Sequence, residues 1–235
     1  MAMNDLKIQQ VWNYSYAEFS EHHIQSQEQL KTSHAIRNCK TGILGATISQ
    51  CDDCGHIEYH NNSCRNRNCP NCQAVKKELW VDKRRAEVID SPYFHVVFTL
   101  PHELNPLLYN NQKLLYGLLH RCSAETLWEL SADKKYLGAT PGIIQVLHTW
   151  NQTLDYHVHM HCIVSGGITP DGKIRKSKGK FFIPVFVLRD KFKGKFLYHL
   201  NVLYQSDVLK VPVSFYRQET SFCWNTFKDS LYQKD

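Results

Sequence analysis

The 235-residue sequence has no uninterrupted apolar run that approaches the roughly 18 residues of a membrane-spanning helix. It also has no apolar segment near Met1 of the kind that directs secretion, so we expect a cytoplasmic protein with reduced cysteines. Internal repeats and low-complexity stretches are absent as well. These absences argue against an integral membrane protein, a repeat array and a disulfide-stabilised secreted fold.

The composition sets broad limits on the fold and the partners. The hydrophobic fraction of 43% is enough for a buried core, and the length suits one large or two small domains. The formal net charge is +6 at pH 7, which is a mild basic bias. Such a bias is compatible with a polyanionic partner but does not establish one.

Three histidines alternate with apolar residues in one short segment. His157, His159 and His161 are separated by single residues, and residues two apart on a β-strand share a face. Imidazole is the commonest metal ligand near neutral pH. A strand with a solvated histidine face is the alternative for a lone pair, but the third alternating histidine favours metal binding.

The segment just upstream predicts the partner strand. Residues 142–150 are β-branched and apolar, and a short polar turn follows them. A hairpin across that turn places His148 opposite His159, and directly opposite side chains lie roughly 5 Å apart at Cβ. We therefore predict a catalytic divalent metal bound by His148, His159 and His161, with positions left open for substrate. His157 remains the competing third ligand.

Two CxxC pairs indicate a second, structural metal site. Cys51 and Cys54 form one pair, and Cys69 and Cys72 form the other. Each pair can place two thiolates on one Zn²⁺, and four thiolates close a tetrahedron. We predict these four cysteines as the ligands of a structural Zn²⁺. The candidate substitutes are Cys64, first, and then His56 and His60.

Basic residues cluster around both metal motifs. Each cluster alone is compatible with an ordinary solvated face, but their grouping beside a zinc module is typical of a nucleic-acid-binding protein. The predicted DNA-binding residues are Arg65, Arg67, Lys173, Arg175, Lys176 and Lys178.

The periodicity of apolar residues predicts an α+β protein with an antiparallel sheet. We predict an N-terminal helical and zinc-ribbon-like domain over residues 1–90 and a second domain with the antiparallel sheet over residues 91–235. The zinc module is expected to have little regular structure. The predicted helices span residues 11–30, 33–45, 74–89, 105–131, 191–205 and 224–232, and the predicted extended segments span 94–100, 142–150, 156–164 and 181–187.

Five stretches together form a specific pattern: 51–56 (CDDCGH), 62–73 (NSCRNRNCPNCQ), 98–104 (FTLPHEL), 157–162 (HVHMHC) and 181–197. In these stretches the chain resembles the rolling-circle insertion-sequence transposases that pair an N-terminal zinc-binding domain with an HUH endonuclease domain. The resemblance covers nearly the whole chain and implies that residues 91–235 form an HUH endonuclease-type domain (His-hydrophobic-His) that is incomplete at its C-terminus.

The resemblance implies metal-assisted cleavage of single-stranded DNA and strand transfer in DNA transposition and recombination. In this family the HUH pair, here His159 and His161, holds a divalent metal such as Mg²⁺ or Mn²⁺ that polarises the scissile phosphate. A tyrosine attacks that phosphate and becomes joined to the 5′ end of the cut strand. The resemblance also implies a bacterial, nucleoid-associated location and no membrane partner.

The sequence departs from the family pattern at two places. Asn68 stands where the family usually has a histidine, so a metal role at that position is lost. The tyrosine motif of the family, a stretch like YLGRYTHR, is absent from these residues, and the family has it beyond the segment that matches residues 230–235. We therefore expect a truncated gene product or a fragment that binds DNA without completing strand transfer. The tyrosines expected to serve packing are Tyr198, Tyr204, Tyr216 and Tyr232.

Two other classes of function compete with this interpretation. A non-catalytic, zinc-dependent DNA-binding protein would use the second domain as a scaffold, and the missing tyrosine motif favours it. A His-ligated metallohydrolase or cupin-like enzyme usually adds an acidic ligand beside the HxH pair. Cys162, Ile163 and Val164 follow His161 here, which disfavours that class.

Overall fold

The computed structural model describes residues 8–177, 182–216 and 223–234. The chain divides into two compact units, Met1–Val88 and Ile89–Asp235, and the sequence predicted a boundary after residue 90. Within the described residues, no helix is long and apolar enough to cross a membrane. Each unit is described separately below.

The first unit begins with two helices, α1 (Ile8–His22) and α2 (Gln27–Arg37). A capping box starts α2: Ser26 Oγ accepts the backbone N–H of Gln29 at 3.2 Å, and the Gln29 side chain accepts the Ser26 N–H at 2.8 Å. The single helix predicted over 11–30 is therefore wrong, because this cap interrupts it.

A β-ribbon follows the helices. Strand β1 (Ala46–Gln50) pairs antiparallel with β2 (Ile57–Asn61), and helix α3 (Pro70–Ala86) comes after them. The helix predicted over 33–45 ends instead at Arg37, since Lys40, Gly42 and Gly45 all have positive φ angles that an α-helix excludes. The expectation of little regular structure in the zinc module was also wrong.

The second unit is built from strands, the helices that cover them and short connections. Its strands are β3 (Phe94–Thr99), β4 (Thr140–Trp150), β5 (Tyr156–Ile168) and β6 (Ile174–Arg175). Its α-helices are α4 (Asn105–Asn110), α5 (Gln112–Ala132), α6 (Val185–Gln205) and α7 (Trp224–Tyr232), with 3₁₀ turns at His102–Leu104 and Val213–Tyr216. The α+β class predicted from the sequence is confirmed.

The sheet has the order β3-β5-β4, with the short β6 also pairing with β5, and all of these pairs are antiparallel. Alternate residues of β5 point to opposite faces. Val158, Met160 and Cys162 are fully buried in the core that includes residues of α5 and α6. The residues between them therefore face the other, open side, and these include His159 and His161.

The segment before α6 differs from the sequence-based expectation. Residues 181–187 were predicted as extended, but α6 already begins at Val185 with Pro184 at its N-cap. Phe182 and Ile183 are buried against the core, and Phe181 lies outside the described residues. A short apolar run fits a buried strand and a buried turn equally well, so periodicity does not separate the two.

Candidate metal centres

The open face of the sheet brings three histidines together. The β4–β5 register pairs His148 directly with His159, as the sequence predicted. Ring centroids lie 5.3 Å apart for His148–His159, 4.4 Å for His148–His161 and 4.8 Å for His159–His161. One ring nitrogen of each residue lies within 4.8 Å of the other two. The predicted convergence of these three residues is confirmed, and their role as metal ligands remains a prediction.

The turn between β4 and β5 is separated from the His148–His159 pair by a register shift: Trp150 pairs with Tyr156, and the ladder shifts by one residue between His148 and Trp150. Asn151 Oδ1 accepts the backbone N–H of Thr153 at 3.0 Å and that of Asp155 at 2.9 Å, which is the pattern of an Asx turn. Leu154 has a φ of 65°, so the chain reverses through a left-handed residue. Trp150, at the end of β4, stacks on His148 with ring centroids 5.1 Å apart.

The environment of two of the three histidines, His148 and His161, favours the neutral form that ligates a metal. Partial burial, and then the neighbouring His159, lower the pKa of His148. Burial, and then His148, His159 and His95, lower the pKa of His161. The ligand atoms of these three histidines lie close enough together to share an ion. Among the described residues, no carboxylate belongs to this histidine group. Three neutral ligands leave coordination positions open and leave the charge of a divalent ion unreduced.

His157 lies on the same face but does not join the group. Its ring centroid is 5.1 Å from that of His159, and its nitrogens are outside the set that lies within 4.8 Å. Of the two third ligands considered from the sequence, the geometry therefore favours His148 over His157.

Sequence reasoning missed one residue of this face. His95, on β3, lies with its Nε2 atom 2.7 Å from Nδ1 of His161. Nothing local to His95 indicates this contact, because it depends on the pairing of β3 with β5 across 66 residues of sequence. Core-facing apolar residues alternate with other residues in Phe94–Thr99, and this pattern places His95 on the face opposite the core. That alternation is the one sequence signal that could have identified His95.

A second group consists of four cysteines in the first unit. The Sγ atoms of Cys39, Cys64, Cys69 and Cys72 all lie within 4.8 Å of one another. The distance from Cys72 Sγ is 3.5 Å to Cys39 Sγ and 3.6 Å to Cys64 Sγ. A tetrahedral zinc with Zn–S bonds of about 2.3 Å requires sulfur atoms about 3.8 Å apart, so this group fits zinc.

The predicted ligand set needs correction at two positions. Cys69 and Cys72 belong to the cluster, but Cys51 and Cys54 lie exposed at the tip of the β1–β2 ribbon. Five residues of strand place that tip roughly 13 Å from the base of the ribbon, too far to share an ion with Cys69. Cys39 and Cys64, which lie near that base, complete the group instead.

Burial and hydrogen bonding shift the pKa values of three thiols of this cluster in different directions. Burial raises the pKa of Cys39, and it raises the pKa of Cys64 to about 12. Burial also acts to raise the pKa of Cys72, but hydrogen bonds from Cys39, Cys64 and the backbone of Arg65 outweigh it and lower the value to about 7. Of these three thiols, Cys72 ionises most readily, and a bound cation would favour the thiolate form of the other two.

The predicted DNA-binding residues have different surroundings. Arg65 is exposed and lines a polar groove of about 840 Å³ with Lys40 and Tyr59, and Arg67 is also exposed. Lys173, Arg175 and Lys176 lie in or beside β6. Lys173 pairs with Asp171 at 3.0 Å, Lys176 pairs with Asp90 at 2.6 Å, and Arg175 donates to the Gly138 carbonyl at 3.4 Å. Lys178 lies outside the described residues.

The cysteine geometry predicts which single substitutions remove zinc. Cys39→Ser should abolish tight zinc binding, because it leaves three thiolates, whereas Cys51→Ser should leave the zinc content near one ion per chain. Metal analysis of both variants, purified under reducing conditions, checks this. Equal zinc loss in the two variants would restore Cys51 to the ligand set.

The histidine geometry predicts the ligands of the divalent metal. With the cysteine site loaded with zinc, His148→Ala should lose most Mn²⁺ affinity in calorimetric titration, and His157→Ala should keep it. Binding should also weaken as the pH falls below the ordinary histidine value of 6.5, because protonated imidazole cannot ligate. The lowered pKa values of His148 and His161 shift that loss to more acidic pH. Equal loss in the two variants would contradict the assignment of His148.

Two family models and one solved structure match parts of this chain. Residues 11–100 match the family model of the transposase zinc-binding domain, and residues 142–230 match a family model described as putative transposase. A solved chain of the conjugative relaxase TRWC with oriT DNA, in a copper-bound structure, is 20% identical with a TM-score of 0.39. The match covers 51% of this chain and 47% of the relaxase chain. This likeness is too distant to bear on the site.

Two curated relatives are closer in sequence. The putative transposase y4qJ of Sinorhizobium fredii is 44% identical over 84% of this chain and 50% of its own length. The transposase for insertion sequence element IS801 of Pseudomonas savastanoi pv. phaseolicola is 34% identical over 61% of this chain and 35% of its own length. The chain thus spans half or less of each relative. With the two family models, these relatives show that the chain belongs to the rolling-circle insertion-sequence transposases with an N-terminal zinc-binding domain.

Proposed function

We propose that this chain serves the transposition of a rolling-circle insertion sequence by binding DNA and holding a divalent metal against a phosphate of a single strand. The observation that carries the proposal is the convergence of His148, His159 and His161 on an open sheet face. Membership of a transposase family supports the same conclusion. A location in the bacterial cytoplasm, with the nucleoid, follows from a DNA substrate.

The histidines would present the metal to the backbone of the DNA. A bound divalent ion supplies Lewis acidity that stabilises charge on a phosphate oxygen. Imidazole nitrogen suits Mn²⁺ better than Mg²⁺, which prefers oxygen ligands, so we expect Mn²⁺ to be the better activator of the two. Val97 and Val146, which pair with His161 from either side, are both partly exposed, so the face remains accessible to a strand.

The covalent step needs a tyrosine in addition to the metal. The described tyrosines give little support for one within this chain. Tyr156 shares a 2.7 Å hydrogen bond with Tyr116, and burial raises its pKa, which disfavours the phenolate. Tyr204 stacks on Trp224 with ring centroids 3.9 Å apart, as expected of a packing residue.

Tyr198 and Tyr232, which were expected to serve packing, are in fact exposed. The side chain of Tyr216 is not among those that the structure describes. Neither exposed tyrosine lies in a stretch like the family motif. We therefore propose that these 235 residues bind and position DNA but do not complete strand cleavage by themselves.

The zinc-binding domain would add affinity for DNA. Lys40 and Arg65 line one groove, and no carboxylate is among its lining residues. Both residues adopt left-handed backbone angles, with φ of 57° and 55°. Such conformations cost energy in a non-glycine residue and are concentrated at functional positions. The exposed ring of Tyr59 lines the same groove and offers a surface on which an unpaired base could stack.

The absence of a matching tyrosine predicts that no covalent DNA adduct forms. The 235-residue chain, incubated with labelled single-stranded DNA and Mn²⁺, should give no labelled band at protein mass in denaturing electrophoresis. Tyr198→Phe and Tyr232→Phe are the decisive controls because both residues are exposed. A band that disappears in one of them would show that the nucleophile lies within this chain.

The charge distribution predicts DNA binding with strong salt dependence. Removing both groove cations with Lys40→Ala and Arg65→Ala should weaken binding, and each lost phosphate contact should reduce the log–log salt slope for single strands by about 0.7. The loop variant carrying alanine at Lys173, Arg175, Lys176 and Lys178 should show a smaller effect, because Lys173 and Lys176 already pair with carboxylates. Fluorescence anisotropy at several salt concentrations measures both, with Lys31→Ala as the control. Unchanged affinity in either variant would show that its cations belong to a solvated face.

A further inference from the structure

His95, on the adjacent strand β3, lies next to the histidine group of His148, His159 and His161 but is not a member of it. In the β3–β5 register, Val97 lies opposite His161 and His95 lies opposite Ile163. His95 is therefore diagonal to His161 on the open face. Its Nε2 atom lies 2.7 Å from His161 Nδ1, and the two rings are nearly parallel, 14° apart, with centroids at 5.0 Å.

That hydrogen bond restricts what His161 can do with its two ring nitrogens. A neutral imidazole carries hydrogen on one nitrogen and a lone pair on the other. With Nδ1 engaged by His95, Nε2 is the nitrogen of His161 that remains for a cation. A ligand at Nε2 requires the hydrogen on Nδ1, so His161 donates the hydrogen bond and His95 Nε2 accepts it.

We propose that His95 is a positioning residue, which holds the ring of His161 in the tautomer and orientation that present Nε2 to the metal. The inference rests on the proposed function, in which the histidine group binds a divalent ion. Histidine ligands almost always make such a second hydrogen bond, and its removal typically costs about 10–100-fold in metal affinity.

The choice of a histidine as the acceptor has a chemical consequence. A carboxylate in this place would bring a full negative charge close to the metal and reduce its pull on a phosphate. A neutral imidazole orients His161 equally well and adds no charge. The group composed of His148, His159 and His161, with His95 behind it, therefore leaves the charge of the cation available to the anionic DNA backbone.

Strand β3 holds His95 at this position through the core. Phe94, Val96 and Phe98 alternate with His95 and point to the opposite face, where Phe98 is buried beside Phe192 at a centroid distance of 4.7 Å. The position of His95 thus follows from packing on the other side of the sheet. Its side chain can be changed without removing any of those core contacts.

The test uses the full chain with zinc in the cysteine site and Co²⁺ as the probe. His95→Phe should lower Co²⁺ affinity about 10–100-fold, because it keeps the ring and loses the acceptor. His95→Gln should restore most of the affinity, since its carbonyl oxygen can accept the same hydrogen. Thr99→Val is the matched control on the same strand, beside His159, and should bind Co²⁺ as the unaltered chain does.

Two further measurements separate positioning from other roles. Thermal unfolding of the proteins without Co²⁺ should change little in His95→Phe. Imidazole ¹⁵N spectra should show hydrogen on Nδ1 of His161 in the unaltered chain and a tautomer mixture in His95→Phe. Equal Co²⁺ affinity in His95→Phe and the unaltered chain would overturn the inference.

Two other outcomes distinguish a failure of the role proposed for His95 from a failure of the proposed function. If His95→Gln loses as much affinity as His95→Phe and the visible absorption of bound Co²⁺ changes, His95 is a ligand and the positioning role is wrong. If His159→Ala binds Co²⁺ as tightly as the unaltered chain, the histidine group is not the metal site. In that case the proposed function fails, and not merely the role of His95.

Discussion

The register between β5 and its two neighbours is the constraint on which the candidate site depends. Pairing with β4 brings His148 to His159, and pairing with β3 brings His95 to His161. A slip of one residue in either ladder would turn the histidines of one strand to the other face. The buried face of β5 holds both registers, so the site is a product of strand pairing.

Much of the second unit could be predicted from its sequence, because its signals are local or span a single hairpin. The alternation in β5 and the turn after β4 were sufficient to place His148 beside His159, and Trp224–Tyr232 was predicted with the bounds the structure has. The contact of His95 with His161 was not predictable in this way, since no local pattern indicates which strand lies beside β5.

The cysteine group shows the opposite case, in which a strong local motif was misleading. CxxC spacing indicates that two thiols can share an ion, but it does not show which pairs meet in space. The β1–β2 ribbon separates Cys51 and Cys54 from Cys69 and Cys72, and Cys39, which belongs to no motif, takes a place in the group. The motif correctly indicated a zinc-binding domain, and the tertiary structure brings a different set of cysteines together from the one that the motif predicted.

The two faces of β5 also determine how this segment can change during evolution. Its even-numbered residues from Val158 to Val164 are fully buried and fill the core, whereas His157, His159 and His161 are not part of it. An inactive copy of the element could therefore lose its histidines and still fold. Substitutions that accumulate at the odd positions while the even positions stay apolar would mark a lineage in which transposition has ceased but the protein persists.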